Sequence, residues 1–158
     1  MKNQNQIGLD SAKCKQLING LNTLLADYQL FYMNTRGLHW NIKGEKFFEL
    51  HLKFEELYNN LVLKVDEVAE RVLTLGGTPL HAYTDYLKQS NIKEAKGITK
   101  GKEGIELILD SLKTVIIKQR ALLTLSAEAN DEGTNALMSD YIREQEKMIW
   151  MYSSYLNK

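Results

Sequence analysis

The sequence predicts an all-α protein: a bundle of four long helices, with a long crossover between the second and third that carries a short extra helix. Apolar side chains recur every three or four residues along four stretches, which is the period of an amphipathic helix. Most of the ten glycines and the single proline, Pro79, lie between these stretches. The length of 158 residues fits one domain that buries enough surface to fold without disulfides.

Capping signals bound the first two helices. The first begins near Asp10-Ser11, because both residues are good N-caps, and its apolar stripe consists of Ile18, Leu21, Leu25, Tyr28 and Tyr32. The second runs from about Lys46 to Leu75. It ends at Gly76-Gly77-Thr78-Pro79, since glycine can adopt the left-handed cap and proline cannot continue a helix.

The second half of the chain predicts two more long helices after a connection from His81 to Lys100. The third helix has apolar residues at Ile105, Ile108, Leu112, Val115 and Leu122. The fourth begins near Asn130-Asp131, and the connection holds enough apolar residues for a short helix of its own. A long link between the second and third helices is typical of a ferritin-like bundle. We expect a single ferritin-like domain over 1–158, with an N-terminal tail of about 1–9.

Composition excludes several classes of protein. Twenty basic residues balance twenty acidic ones, so the basic excess typical of nucleic-acid binding is absent. No apolar run approaches the roughly 18 residues of a membrane helix, and the first residues lack the apolar core of a signal peptide. The sequence therefore predicts a cytoplasmic protein that does not bind membranes. The lone cysteine, Cys14, cannot form an internal disulfide, and we expect it to pack or lie at the surface.

A polar stripe on the second helix is the main candidate for a functional site. His51, Glu55, Asp66 and Glu70 fall at about 0°, 40°, 60° and 100° around the helix. The apolar stripe of the first helix, continued through Thr35, reaches His39. For the polar stripe the alternative is a solvated face. For His39 the alternative is a buried histidine that binds no metal. The uncharged Tyr58, Val62 and Ala69 on the stripe count against a solvated face, which would carry more lysine.

Imidazole and carboxylate ligands together suit iron, zinc or manganese. Each pair spaced by four residues, His51 with Glu55 and Asp66 with Glu70, can chelate one ion. Eleven residues separate Glu55 from Asp66, about 16 Å along a helix, whereas metal bonds are about 2.0–2.2 Å long. The pairs therefore form two half-sites, or one site shared with a second copy across a two-fold axis near Asn59 to Val62.

The chain also lacks the motif of an ordinary di-iron bundle. Such a bundle takes Glu-x-x-His from each of two helices of one chain. This sequence contains no Glu-x-x-His, and its third and fourth long helices contain no histidine. An intrachain di-iron centre is therefore disfavoured, and a site shared between subunits is favoured.

Four short motifs in the segment from Asn34 to Pro79 are distinctive together. They are Leu38-His39-Trp40-Asn41, then His51 twelve residues after His39, then Asp66-Glu67-Val68-Ala69-Glu70-Arg71, and finally Leu75-Gly76-Gly77-Thr78-Pro79. This segment resembles the Dps family, the miniferritins named as DNA-binding proteins from starved cells. The resemblance is dense across the segment, and the helix pattern extends it over most of the chain.

The resemblance implies a ferritin-like subunit in a hollow homododecamer, with ferroxidase centres at its two-fold interfaces. In such a centre His39 and His51 come from one subunit, and Asp66 and Glu70 come from its partner. Glu55 matches the acidic position that would hold or bridge a second iron. Trp40 matches a tryptophan beside the centre. All five proposed ligands are thus assigned by the family pattern, in agreement with the distance between the half-sites.

The implied activity is oxidation of Fe²⁺ to Fe³⁺, with hydrogen peroxide or oxygen as oxidant, followed by mineral storage inside the shell. Such a stress-response protein protects the cell and its DNA during starvation. Zinc and manganese are alternative metals for the same ligands. The family's acidic pores correspond here to Asp131 and Glu132 near the start of the last helix. The alternative for these two residues is helix capping, because acids are favoured at a helix N-terminus.

DNA binding is the alternative function, in the form of a nucleoid-compacting shell with minor iron chemistry. Family members that bind DNA well usually use mobile lysine-rich tails. The first sixteen residues here hold Lys2, Lys13 and Lys15 against Asp10, and the chain carries no net charge. Phosphate neutralisation would be weak and lost with salt. The sequence therefore predicts weak or absent DNA binding, on which any association with the nucleoid would depend.

Overall fold

This computed structural model describes residues 3–158, which contain four long helices and one short helix. The helices are α1 (Ser11–Asn41), α2 (Phe47–Thr74), α3 (Tyr83–Gln89), α4 (Gly101–Glu128) and α5 (Glu132–Tyr155). Within 3–158 there are isolated β-bridges but no strand. The predicted four-helix bundle is confirmed, and so is the short helix in the crossover, which is α3.

The helix ends follow the capping signals in the sequence. The carboxylate of Asp10 accepts hydrogen bonds of 2.9 Å from the backbone N–H groups of Ala12 and Lys13, which lack partners inside α1. After the C-terminal end of α2, Gly76 has a φ of +89°, the left-handed region that glycine enters without strain. The predicted start of α1 and end of α2 are confirmed to within a residue.

The core is built from the apolar stripes of all four long helices. Tyr28, Phe31 and Phe54 are its largest fully buried side chains. The predicted stripes are buried for the most part, with Ile18 and Tyr32 half-buried at the edge of the core. The hydroxyl of Tyr28 donates to Gln119, whose amide donates to Gln145, and Gln145 donates back to Tyr28. This closed ring satisfies three polar groups inside the bundle.

Polar side chains of α1 hold the crossover against the bundle. Asp27, fully buried, accepts hydrogen bonds from the Ser90 hydroxyl at 2.9 Å and the Asn91 N–H at 2.7 Å, and it pairs with Lys118. Asn34 donates to the carbonyl of Lys93 at 2.8 Å. These contacts fix the segment that leads from α2 to α4.

The first described residues turn back onto the bundle. The side chain of Asn5 donates to the carbonyl of Leu75 and accepts from the N–H of Leu9. Lys2, which entered the charge count of the predicted tail, lies outside the described residues. Cys14 is buried, in agreement with a packing role. In the described part of the chain, no helix is long and apolar enough to cross a membrane.

Candidate metal centre

His39 and His51 face each other across the junction of α1 and α2. Their rings stack with centroids 3.7 Å apart and an angle of 16° between the planes. The Nδ1 of each ring lies 2.7 Å from the backbone carbonyl oxygen of the other histidine. A carbonyl oxygen only accepts hydrogen bonds, so both Nδ1 atoms carry the proton. In the uncharged form of such a ring, Nε2 carries the free lone pair that a metal ligand needs.

Aromatic neighbours hold the histidine pair in place. Phe47 stacks on His51 at 4.9 Å, and Tyr58 contacts His39 edge-on at 5.2 Å. His39 is only 8% exposed and His51 is half-buried. Contacts on both sides leave the rings little freedom to turn. Sequence reasoning missed Phe47, whose position four residues before His51 on the same helix was the available signal.

The predicted carboxylates lie on the outward face of α2. Glu55 is half-buried, one turn beyond His51, whereas Asp66 and Glu70 are exposed further along the helix. Among residues 3–158, no three His, Cys, Asp or Glu side chains of one chain come close enough to hold a metal ion. One chain thus assembles the histidine pair, and its Asp66 and Glu70 remain a separate pair of donors.

Large apolar side chains share that outward face. Phe48 is 84% exposed, Leu52 57%, Val62 40% and Leu73 57%. At 100° per residue all four fall within the sector that contains the candidate ligands. Large exposed apolar side chains repeated along one helix face favour an interaction surface over a solvated face. The face combines the candidate metal ligands with apolar side chains typical of a protein interface.

The opposite side of α2 is anchored to α5. The Tyr141 hydroxyl donates to Glu67 at 2.5 Å, and burial together with this carboxylate raises the pKa of Tyr141, so it stays a donor. Arg71 donates to Thr134 at 2.9 Å and to Asp131 at 2.5 Å. Glu67 and Arg71 each follow a candidate ligand directly in sequence. Their contacts toward α5 therefore leave Asp66 and Glu70 facing away from the bundle.

The two candidate pore residues have different surroundings. Asp131 is 2% exposed, accepts from the backbone N–H of Thr134 as the N-cap of α5, and pairs with Arg71. Asp131 therefore acts as a helix cap within the chain. Glu132 is exposed in the first turn of α5. Pore lining remains a prediction for both residues.

Trp40 and His81 both lie at the surface. Trp40, beside His39 in sequence, is 55% exposed, and the guanidinium of Arg36 lies 5.0 Å from the centre of its ring. His81 is exposed in the crossover. The spacing of Tyr32, Arg36 and Trp40, at steps of four along α1, was the available signal for this aromatic and basic cluster.

Comparison with known proteins assigns the chain to a family. Residues 18–158 match the family model described as the ferritin-like domain. The DNA protection during starvation protein of Porphyromonas gingivalis is 41% identical over 96% of this chain and 95% of its own length.

Two solved structures extend the similarity to the fold. The Dps protein of Vibrio cholerae O1, a member of a broad superfamily of ferritin-like diiron-carboxylate proteins, superposes with a TM-score of 0.96 at 52% identity, covering 98% of this chain and 97% of the other. A Dps protein from Bacillus brevis gives a TM-score of 0.89 at 30% identity, covering 92% and 97%. The chain therefore belongs to the Dps family of the ferritin-like superfamily.

Proposed function

We propose that the protein is a ferroxidase that oxidises Fe²⁺ and stores the product as a mineral inside a shell of its own copies. Family membership supports the broader role in iron storage and protection against oxidative damage. The observation that carries the finer proposal is the reciprocal contact of His39 and His51. With both Nδ1 atoms bound to carbonyl oxygens, the Nε2 atom is the one that each ring can offer to a metal, next to a helix face that also carries carboxylates.

The donor set fits iron as the substrate. Neutral imidazoles bind Fe²⁺ without adding negative charge, which keeps its affinity moderate, whereas carboxylates favour the more highly charged Fe³⁺. In this proposal His39 and His51 bind the incoming Fe²⁺, and Asp66 and Glu70 of a second copy complete its coordination. Glu55, one turn from His51, would hold or bridge a second iron. Zinc or manganese would bind the same donors without being the substrate.

The second copy is required because one chain does not bring the two pairs together. A two-fold axis near Asn59 to Val62 would place the carboxylate pair of each copy against the histidine pair of the other. The exposed apolar side chains on the same face, among them Leu52 and Val62, would be buried by that contact. Twelve such subunits would form the shell, located in the cytoplasm.

The reaction balances with hydrogen peroxide as oxidant. Two Fe²⁺ ions each give one electron, the O–O bond breaks, and two protons complete two water molecules. Because both electrons arrive from the paired irons, no hydroxyl radical is released. That outcome would protect nearby DNA whether or not the shell binds it. The chain's own residues bind the metal, orient it and position the two subunits.

A co-assembly experiment tests the shared site directly. One variant lacks the histidines (His39→Ala with His51→Ala), and the other lacks the carboxylates (Asp66→Asn with Glu70→Gln). Each alone should lose ferrous oxidation, measured by absorbance after adding Fe²⁺ and peroxide. After equal mixing and reassembly, half the dimers are hybrids and each hybrid has one intact site, so about one quarter of the activity should return.

Controls separate loss of the site from loss of structure. His81→Ala removes the exposed histidine of the crossover, and Asp110→Asn removes an exposed carboxylate of α4. Both should keep the oxidation rate of the unaltered protein. Full activity in either multiple variant would contradict the ligand assignment. Mixed particles that stay inactive, although both variants assemble, would contradict a site shared between subunits.

A further inference from the structure

Arg36 is a cation without an acidic partner among the described residues. The chain has four arginines, and Arg71, Arg120 and Arg143 each pair with a carboxylate. Within residues 3–158 Arg36 forms no ion pair, and its one hydrogen bond donates from the guanidinium to the Tyr32 hydroxyl at 2.8 Å. Its Nε–H is shielded from solvent and has no acceptor there. The remaining guanidinium donors are available to a partner outside the chain.

Aromatic rings hold this guanidinium beside the histidine pair. It lies 4.6 Å from the ring centre of Tyr58, 5.0 Å from Trp40 and 5.8 Å from Tyr32. The same Tyr58 ring contacts His39. Aromatic faces attract a guanidinium without neutralising its charge, and the planar group loses little freedom when it then binds a carboxylate. The cluster therefore presents a positioned cation at the edge of the histidine half-site.

The matching acids lie on the other half of the same face. Asp66 and Glu70 are exposed, and neither forms an ion pair with another of the described residues. With the two-fold axis proposed above, Tyr58 faces position 63 of the second copy. Asp66 lies three residues from that point, about 4.5 Å along the helix, and Glu70 lies seven residues away, about 10 Å. Asp66 is the carboxylate within reach of Arg36.

We propose that Arg36 of each subunit binds the Asp66 carboxylate of the second copy when no iron is present, and that Fe²⁺ must displace it to bind. This inference rests on the shared site proposed above. The ion pair neutralises two groups that would otherwise be buried uncompensated at the interface. It stabilises the iron-free assembly and lowers the affinity of the site for divalent metal, because guanidinium and metal compete for one carboxylate.

A double-mutant cycle tests the pairing in metal-free protein. Arg36→Gln, Asp66→Asn and the double variant are compared by the urea concentration at which light scattering shows the assembly dissociating. Each single variant should dissociate more readily, and the double variant should be no worse than either, because both remove one interaction. Additive losses for Arg36→Gln and Asp66→Asn would overturn the pairing. So would a cycle in which Arg36→Gln is additive with Asp66→Asn but non-additive with Glu70→Gln.

Metal affinity tests the competition. Zn²⁺, which is not oxidised, is titrated calorimetrically into the assembled protein. Arg36→Gln should bind Zn²⁺ about tenfold more tightly, close to the lower end of the coupling measured for close interfacial charge pairs. Arg36→Lys keeps the charge and should stay near the unaltered protein, as should Arg120→Gln, whose arginine is exposed on α4. Unchanged affinity in an intact Arg36→Gln assembly would overturn the competition.

The two proposals fail in distinguishable ways. If the histidine and carboxylate variants leave ferrous oxidation intact, the shared site itself is wrong. If those variants abolish oxidation and Arg36→Gln changes neither assembly nor Zn²⁺ affinity, only the role of Arg36 is wrong.

Discussion

Gly133 lies directly over the guanidinium of Arg71. A Cβ atom at this glycine would be 2.7 Å from both terminal nitrogens of Arg71, closer than non-bonded atoms approach. The guanidinium cannot simply move aside, because it is bound to the buried Asp131 and to Thr134. The absence of a side chain at Gly133 is therefore what allows α2 to be anchored to the start of α5.

Gly133→Ala should destabilise the protein. Displacing Arg71 leaves the carboxylate of Asp131 buried without its cation, a loss of about 1–3 kcal/mol. The usual gain from replacing a helical glycine by alanine is only about 0.5–1 kcal/mol. Denaturant unfolding followed by circular dichroism measures the net effect.

Gly37→Ala is the matched control, since it is also helical and a Cβ there meets nothing within 4 Å of the chain. It should raise the free energy of unfolding by about 0.5–1 kcal/mol. Equal stabilisation by both substitutions would show that Arg71 is free to move.

Local sequence signals account for much of the fold and for part of the site. Asp10 and Gly76 act within their own turns, so the helix ends could be predicted from neighbouring residues alone. The line of the apolar stripe placed His39 near the core for the same reason. Patterns of this kind also placed Asp66 and Glu70 on one face of the second helix.

Contacts between distant segments could not be predicted in the same way. The hydrogen bond from each Nδ1 to the other histidine's carbonyl depends on how α1 and α2 meet, which no periodicity encodes. The role of Asp131 was open because capping and pore lining both require an acid at the start of a helix. Its ion pair with Arg71, sixty residues away in sequence, was not encoded in either pattern.

Charges placed on the outward face of α2 should prevent assembly. Leu52→Glu and Val62→Glu each put a carboxylate into the apolar surface that the second copy is proposed to bury, where an unpaired charge costs several kcal/mol. The mass of the particle by light scattering should fall toward that of a subunit, while circular dichroism stays helical. Ala121→Glu, on an exposed position of α4, should not change the mass. A full-sized particle from both α2 variants would contradict the proposed interface.

Buried tyrosines should make the protein sensitive to alkali. Burial raises the pKa of Tyr28, Tyr141 and Tyr152 above the ordinary value near 10. In the unfolded chain these tyrosines lose their protons above about pH 10, whereas in the folded protein they keep them. Their contribution to the free energy of unfolding is therefore complete below pH 10. It is lost as pH rises above 10, by about 1.4 kcal/mol per pH unit for each tyrosine.

Urea unfolding between pH 8 and pH 11 measures this effect. In Tyr152→Phe the free energy of unfolding should fall less steeply above pH 10, by the amount that one tyrosine contributes, because the hydroxyl that titrates is gone. A free energy of unfolding that stays constant to pH 11 would contradict the assignment of these three groups as buried and protonated.

DNA should bind weakly or not at all. Equal numbers of acidic and basic residues leave no excess cation to release counterions from phosphate, and residues 3–9 are folded against the bundle through Asn5. Plasmid DNA at physiological salt should show no mobility shift with the assembled protein. A version with an added lysine-rich N-terminal extension is the positive control, and its shift should disappear as salt is raised. A shift by the unaltered protein that persists at physiological salt would contradict the prediction, because it would require a basic surface that the charge balance does not provide.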